Sequence, residues 1–470
     1  MRAAQEAMST ADSTRNERSG ELEPELTPKQ VKAASRMYRK SGHPSSLGTL
    51  LAKTVTSYFW LHVWACLFVG GIFGLTHLLV QQNPSLNTEV NLSTLWWVAL
   101  SALGASVLGC LAVLLTKRFH SRFSMDHDLA AVQKLHETPV PRIGGLPVFL
   151  ALFVSLGLAI PSGASGASGT EADVNFVLSL LGVCIPVFLA GIIEDITKKV
   201  SPTQRLIWAM VSGLLACWLL GAVVTDLGFA WTKTLLAFAP AAYLFSAFAM
   251  AGMSNAINMI DGLNGLASGV VCMLALAISL LAAYYGDVLL VNVCLALSFS
   301  MLGFWLFNFP FGKIFLGDGG AYLMGFLLGA LTILLKARIP TMDAWMILSL
   351  LAYPVIEVLY SIGRRIKAKA APDQPDFAHF HQLVQRWLSD VVISRGLPMP
   401  AGRLNSHSTP FVWVFAGTSI ALAFAGHAVG MDALGFVATA VMYVLCYQIL
   451  SAYVSRAEAR MAAVLQAKHQ

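Results

Sequence analysis

Apolar runs of roughly twenty residues recur along this chain, separated by short polar stretches, and that alternation predicts a helical membrane protein. About twelve spans follow from the pattern: 55–80, 95–116, 143–160, 174–193, 205–223, 234–252, 266–285, 288–309, 320–336, 342–362, 410–427 and 433–453. The connections between them differ in charge. Those after the first, third, seventh and eleventh spans hold no Lys or Arg, the one after the fifth holds Lys233, and the one after the ninth holds Lys336 and Arg338. The rest of the 31 basic residues lie in the alternate connections or in the two tails. Basic connections stay in the cytoplasm, which predicts cytoplasmic termini. The expected class is all-α, a polytopic membrane protein of about 11–12 transmembrane helices with a cytoplasm-facing site.

Composition agrees. Of 470 residues 56% are hydrophobic and 12% charged, where a soluble chain carries about a quarter charged. Residues 1–50 read as a polar tail, 51–455 as the membrane domain and 456–470 as a second tail. Seven cysteines stand singly in apolar runs with no Cys-x-x-Cys, which supports neither a zinc site nor a disulfide framework. The net charge of +6 is accounted for by topology and does not point to nucleic acid. Ser162–Thr170 has the composition of a flexible linker on the far side.

The unusual polar stretches all fall in the predicted cytoplasmic connections. In Ser254–Leu266, Asn255, Asn258 and Asp261 recur every third residue, one face of a helix carried this far, before Gly262 and Gly265. Glu194-Asp195 ends the fourth span, where the helix dipole disfavours two carboxylates. An acidic pair there either balances Lys198 and Lys199 or holds Mg²⁺ beside phosphates. Gly317-Asp318-Gly319-Gly320-Ala321 opens the ninth span, where Asp318 serves as a cap or as a metal ligand beside a phosphate, with Lys313 upstream. His136 to Gly145 is a stiff approach with two prolines, and Arg142 in it is either a topology anchor or a bidentate phosphate ligand. His379-Phe-His381 lies in the longest internal cytoplasmic connection, a weak metal pattern that suits a diphosphate or nucleobase as well. Arg364, Arg365, Lys367 and Lys369 form an interfacial anchor for anionic lipid.

Together these stretches resemble glycosyltransferase family 4, the polyprenyl-phosphate N-acetylhexosamine-1-phosphate transferases, over about 117–410. Asn-x-x-Asn-x-x-Asp-Gly-x-x-Gly-Leu is present from Asn255 to Leu266, and Gly-Asp-x-Gly-Ala from Gly317 to Ala321. The approach segment runs from His136 to Gly145, and His-x-His is His379 and His381. Two departures stand out: Glu194-Asp195 replaces the usual Asp-Asp, and Asn264 stands where many relatives carry a second carboxylate. The single His-x-His, in place of a triple His, favours the simple N-acetylhexosamine branch over the pentapeptide-transferring one.

The resemblance implies transfer of a sugar 1-phosphate from a UDP-N-acetylhexosamine to undecaprenyl phosphate, releasing UMP, at a bacterial inner membrane. It would be the first membrane step of an O-antigen or related cell-envelope polysaccharide. The implied cofactor is Mg²⁺, or Mn²⁺ in its place, on Asp318 and Asn258. Asp195, with Glu194 in support, would orient or deprotonate the lipid phosphate. Asp261, Asn255, His136, His379, His381, Arg142 and Lys313 would hold donor and phosphate. Membrane lipid is the setting, and a homodimer is compatible with it. The alternatives are a secondary transporter of lipid or sugar phosphates, whose ionisable residues belong at the membrane midplane, and a scaffold of a glycan-assembly complex.

Overall fold

The computed structural model describes residues 71, 74, 92–124, 139–159, 171–369, 376–394 and 404–467. The 1–50 tail, His136, the 162–170 linker and nearly all of the first predicted span lie outside these residues. The described chain is all-α. Its helices, in order, are α1 (Leu92–Leu115), α2 (Lys117–Ser124), α3 (Gly145–Ala159), α4 (Glu171–Thr197), α5 (Pro202–Leu220), α6 (Ala230–Leu236), α7 (Ala239–Ile260), α8 (Leu266–Tyr285), α9 (Val288–Asn308), α10 (Gly317–Arg338), α11 (Ala344–Leu350), α12 (Ala352–Lys367), α13 (Phe380–Ser394), α14 (Leu404–Ala428) and α15 (Asp432–Ala467). His43–Ser455 form the compact unit that carries every feature described below.

Eight of the described helices are long and apolar enough to cross a membrane, and ten spans result if each of two bent pairs counts as one. The predicted sixth and tenth spans are those pairs, so the expectation of continuous helices there is corrected. α6 and α7 meet at 106°, and α11 and α12 at 79°. Proline explains both breaks. Pro240 occupies the first turn of α7 and Pro354 that of α12, where each is tolerated because the N–H it lacks has no helical partner. The third predicted span is shorter than expected, because the chain through Arg142 stays extended and α3 begins only at Gly145. α2 and α13 were read as connection. Their residues alternate between polar and apolar, so an average over a long window passes over them.

α8, α9 and α10 form the core, almost wholly buried, while outward faces elsewhere carry Trp97, Leu108, Trp218, Val414 and Ile449. In lipid, helix contacts rely on close packing and interhelical hydrogen bonds. Ser155 Oγ donates to Val98 O at 2.8 Å, joining α3 to α1, and Ser106 Oγ donates to Ser300 O at 2.6 Å, joining α1 to α9. α5 shows how local sequence sets a boundary. Ser201 caps it, Gln204 closes the capping box, Pro202 sits at the start and Gly221 ends it.

α7 and α10 run antiparallel: Gly329 lies against Met250, Gly325 against Met253 and Ser254, and Tyr322 reaches Asn255. One further turn puts Asp318 level with Asn258. The ends of α4 and α7 and the starts of α3, α5 and α10 therefore meet on one side of the bundle.

Candidate active site

The site is built on backbone contacts. The extended segment before α3 pairs with the loop before α10: Phe315 N donates to Pro141 O at 2.8 Å, Gly144 N to Phe315 O at 2.9 Å and Gly145 N to Leu316 O at 2.8 Å. Gly317 then turns the chain with φ +74°, where a Cβ would collide with Arg142 O and the Asp195 carboxylate. Helix α10 starts at this point with N–H groups that have no partner inside the helix. Asp195 supplies the acceptors from α4: Asp318 N donates to its Oδ1 at 2.8 Å and Gly319 N to its Oδ2 at 2.9 Å. One turn earlier Gly191 lies against the Gly319 backbone with no room for a Cβ. Asp195 is buried, and both its oxygens are engaged in holding the turn that presents Asp318.

Asp318 meets two guanidinium groups. Arg205, from the first turn of α5, forms an ion pair with its Oδ2, and Arg142 Nη2 lies 3.6 Å from its Oδ1. Arg142 is also 3.7 Å from Asp195 Oδ1. The Arg205 guanidinium covers the Tyr322 ring at 5.3 Å, and Tyr322 OH points to Asn255 Oδ1 at 3.5 Å. Asp261 terminates α7 beside Asn258. Burial pushes its carboxyl up to about 7, against the opposing charge of Arg142. Asp195 and Asp318 thus share Arg142, Asp318 also meets Arg205, and the charge of Arg142 is felt at Asp261. Fully ionised, the cluster keeps an excess negative charge.

The two histidines approach from the other side. A Cβ on Gly262 would run into His381 Nε2, so this ring sits directly on the turn that carries Asp261. His381 is buried with Nδ1 unpartnered, and its ring is parallel to that of His379 at 5.7 Å. His379 Nδ1 lies 3.0 Å from Glu357 Oε1, which also accepts from Phe380 N, while Tyr443 OH donates to Glu357 Oε2 at 3.0 Å. Burial pushes the His381 imidazole down to about 4 from its ordinary 6.5. Its neutral form is the one folded into place, so the unfolded chain takes up the proton first. Stability from this group is whole above about pH 6.5 and drains away as pH falls towards 4, by at most about 3 kcal/mol. The melting midpoint of the purified protein should fall between pH 6.5 and 5, and His381→Asn should flatten that dependence.

A cavity of about 440 Å³ opens between α7, α10 and α12, lined almost entirely by apolar side chains. Phe248, Gly252 and Ala256 of α7 form one wall, and Val355, Leu359 and Ile362 of α12 the other. Ala256, in this lining, is next to Asn255 along α7. No sequence feature marked this groove, which lies between the two bent helix pairs.

Residues 177–336, the stretch that supplies Asp195, Arg205, Asn258, Asp261 and Asp318, match glycosyl transferase family 4. Over that stretch the chain is similar to this family. It is 29% identical to a probable undecaprenyl-phosphate N-acetylglucosaminyl 1-phosphate transferase of Bacillus subtilis, over 54% of this chain and 68% of that protein. An undecaprenyl-phosphate alpha-N-acetylglucosaminyl 1-phosphate transferase of Thermotoga maritima is 28% identical over 54% and 71%. A decaprenyl-phosphate N-acetylglucosaminephosphotransferase of Mycobacterium leprae is 29% identical over 53% and 67%.

Not every residue singled out in the sequence joins the cluster. Glu194 Oε2 accepts from Val200 N at 2.7 Å and fixes the turn into α5. Lys313 is exposed, its ammonium 5.6 Å from the Phe311 ring, with no contact to the carboxylates among the described residues. Asn264 is buried, donating from Nδ2 to Pro310 O at 3.2 Å and to Ser406 Oγ at 3.3 Å, while its own N–H donates to Asn405 Oδ1. It ties the Asp261 turn to α14. A carboxylate in its place would face the Pro310 carbonyl with no proton to donate. Asn264→Asp should therefore lose about 1–3 kcal/mol of stability, read as a lower melting midpoint.

Arg205 and Glu357 were missed in the sequence, although each is a charge within a predicted span, and such residues are functional candidates by default.

Proposed function

We propose that this chain transfers an N-acetylhexosamine 1-phosphate from a UDP-sugar to a polyprenyl phosphate, undecaprenyl phosphate in the first instance, with release of UMP. The observation that carries the reading is the cluster in which Asp318 meets Arg142 and Arg205 at the helix ends on one side of an apolar bundle. A prenyl chain suits the apolar groove between α7 and α12, and Arg142 and Arg205 suit its phosphate. The names of the relatives support the acceptor and the sugar phosphate. By the charge asymmetry the site faces the cytoplasm of a bacterial cell, where UDP-sugars are available.

The residues fit a divalent cation such as Mg²⁺. The cluster has more carboxylates than guanidiniums, and the Asp261 carboxyl has no hydrogen-bond or ion-pair partner among the described residues. No three acidic, His or Cys side chains converge among those residues, so no all-protein cage is offered. Mg²⁺ normally takes one or two carboxylates, with phosphate and water completing its octahedron. We assign it to Asp318 and to Asn258, level with it on α7. Bound there, it would neutralise charge on the donor diphosphate and make the sugar-linked phosphorus more electrophilic.

The protein's own share is positioning. A phosphate monoester is mostly dianionic near neutral pH (second pKa about 6) and needs no strong base. Asp195, with both oxygens held by backbone N–H groups, is accordingly reassigned from proton transfer to positioning Asp318. Arg142 and Arg205 offset the repulsion between the two phosphate groups as they approach. Asn255, Asp261, His379 and His381 we assign to the nucleotide and sugar, with His379 held in place by Glu357 and the His381 ring parallel to it. The lipid oxygen forms a bond to the sugar-linked phosphorus, and the bond from that phosphorus to the bridging oxygen breaks, leaving on UMP.

The test uses the full chain in detergent with undecaprenyl phosphate, a panel of UDP-N-acetylhexosamines, and Mg²⁺ or EDTA. At least one donor should be consumed in a reaction that requires the lipid and stops in EDTA. Folded protein that consumes none of them overturns the reading.

A further inference from the structure

Arg205 carries a buried, unsatisfied N–H within the site. One side of its guanidinium meets Asp318, its face lies on Tyr322, and Nε is buried with no hydrogen-bond partner. A buried N–H is rarely left orphaned, and an Arg fork is satisfied best by two oxygens of one oxyanion. Arg205 Nη1 meets Asp318 at Oδ2, while Oδ1 faces Arg142 at 3.6 Å, so the carboxylate is shared between two guanidiniums and leaves Arg205 Nε unfilled. The same carboxylate cannot hold a divalent cation at full strength while two guanidiniums occupy it, because the like charges would lie a few ångströms apart.

We propose that Arg205 is a diphosphate ligand stored on Asp318. When a nucleoside diphosphate binds, Arg205 swings its pair from the carboxylate to the phosphate oxygens, and Asp318 becomes free for the metal. Metal and nucleotide then bind with positive coupling, and Arg205 is the residue that couples them. By linkage each ligand strengthens the other by the same factor, commonly about 5–150-fold between coupled sites. The inference rests on the assignment of Asp318 to the metal and adds to it an order: the free protein has low metal affinity by design of its ion pairs.

Binding of Mn²⁺ to the purified full chain, read by electron paramagnetic resonance without lipid substrate, tests this apart from turnover. Arg205→Gln should bind Mn²⁺ alone at least about fivefold more tightly than wild type and should lose most of the gain that UDP gives wild type. Arg205→Lys, which keeps the charge but not the fork, should stay close to wild type for Mn²⁺ alone and show a reduced UDP gain. Asp318→Asn separates the two claims. If it leaves Mn²⁺ binding unchanged, the metal assignment itself is wrong. If it abolishes binding while Arg205→Gln binds Mn²⁺ no more tightly than wild type, the metal assignment stands and the stored-arginine account is overturned. A melting midpoint for each variant shows that the protein compared is folded.

Discussion

Asp318→Asn should lower kcat about a thousandfold or more with little change in melting temperature. The substitution keeps shape and removes one charge. Asparagine still fits the first turn of α10, because the groups that hold this turn are the N–H groups of Asp318 and Gly319 on Asp195, not the Asp318 side chain. What is lost is the carboxylate that faces Arg142 and Arg205 and that we assign to the metal. Removing one preorganised charge contact at a reacting centre typically removes a factor of about 10²–10³, and losing a metal ligand as well adds to it. Steady-state kinetics together with a melting curve check both halves. A variant retaining a tenth of wild-type activity would show that Asp318 is not central to the chemistry.

Asp195→Ala should be damaging in a different way. It strips the acceptors from two backbone N–H groups at the start of α10, one of them on the fully buried Gly319. Each orphaned group costs about 1–3 kcal/mol, so the melting midpoint should fall clearly. The turn that presents Asp318 would relax, and misplacement by an ångström can lower a rate about a hundredfold. The pH profile separates this role from that of a base. A positioning residue gives a deficit of similar size at every pH, whereas loss of a base would be partly recovered as rising pH deprotonates the acceptor phosphate. Asp195→Asn should keep one acceptor, lose less stability, and show the same flat deficit.

The contrast between these two aspartates shows what the sequence could reveal. That Asp195 and Asp318 matter was legible from carboxylates at helix ends in an apolar chain. That one of them holds the other in place was not, since it depends on α4 and α10 meeting at backbone contact through Gly191 and Gly319, and spacing along the chain does not encode that encounter. Asn255, Asn258 and Asp261 followed from helical periodicity alone, because they lie within one element and its cap. Arg205 and Glu357 were passed over for the opposite reason. Each is a single charge in an otherwise apolar run, which hydropathy averages away, and its partners, Asp318 and His379, lie far off in sequence. The bends at Pro240 and Pro354 were open to prediction from proline chemistry, yet a window long enough to find a span is too long to resolve a break within it.

The central claim is attack at the sugar-linked phosphorus, not at the sugar carbon. The most direct measurement is the identity of the nucleotide released when the purified chain turns over a UDP-N-acetylhexosamine with undecaprenyl phosphate. The account predicts UMP, in one-to-one ratio with a lipid heavier by a sugar and a phosphate. Release of UDP, with a lipid heavier by the sugar alone, would contradict it.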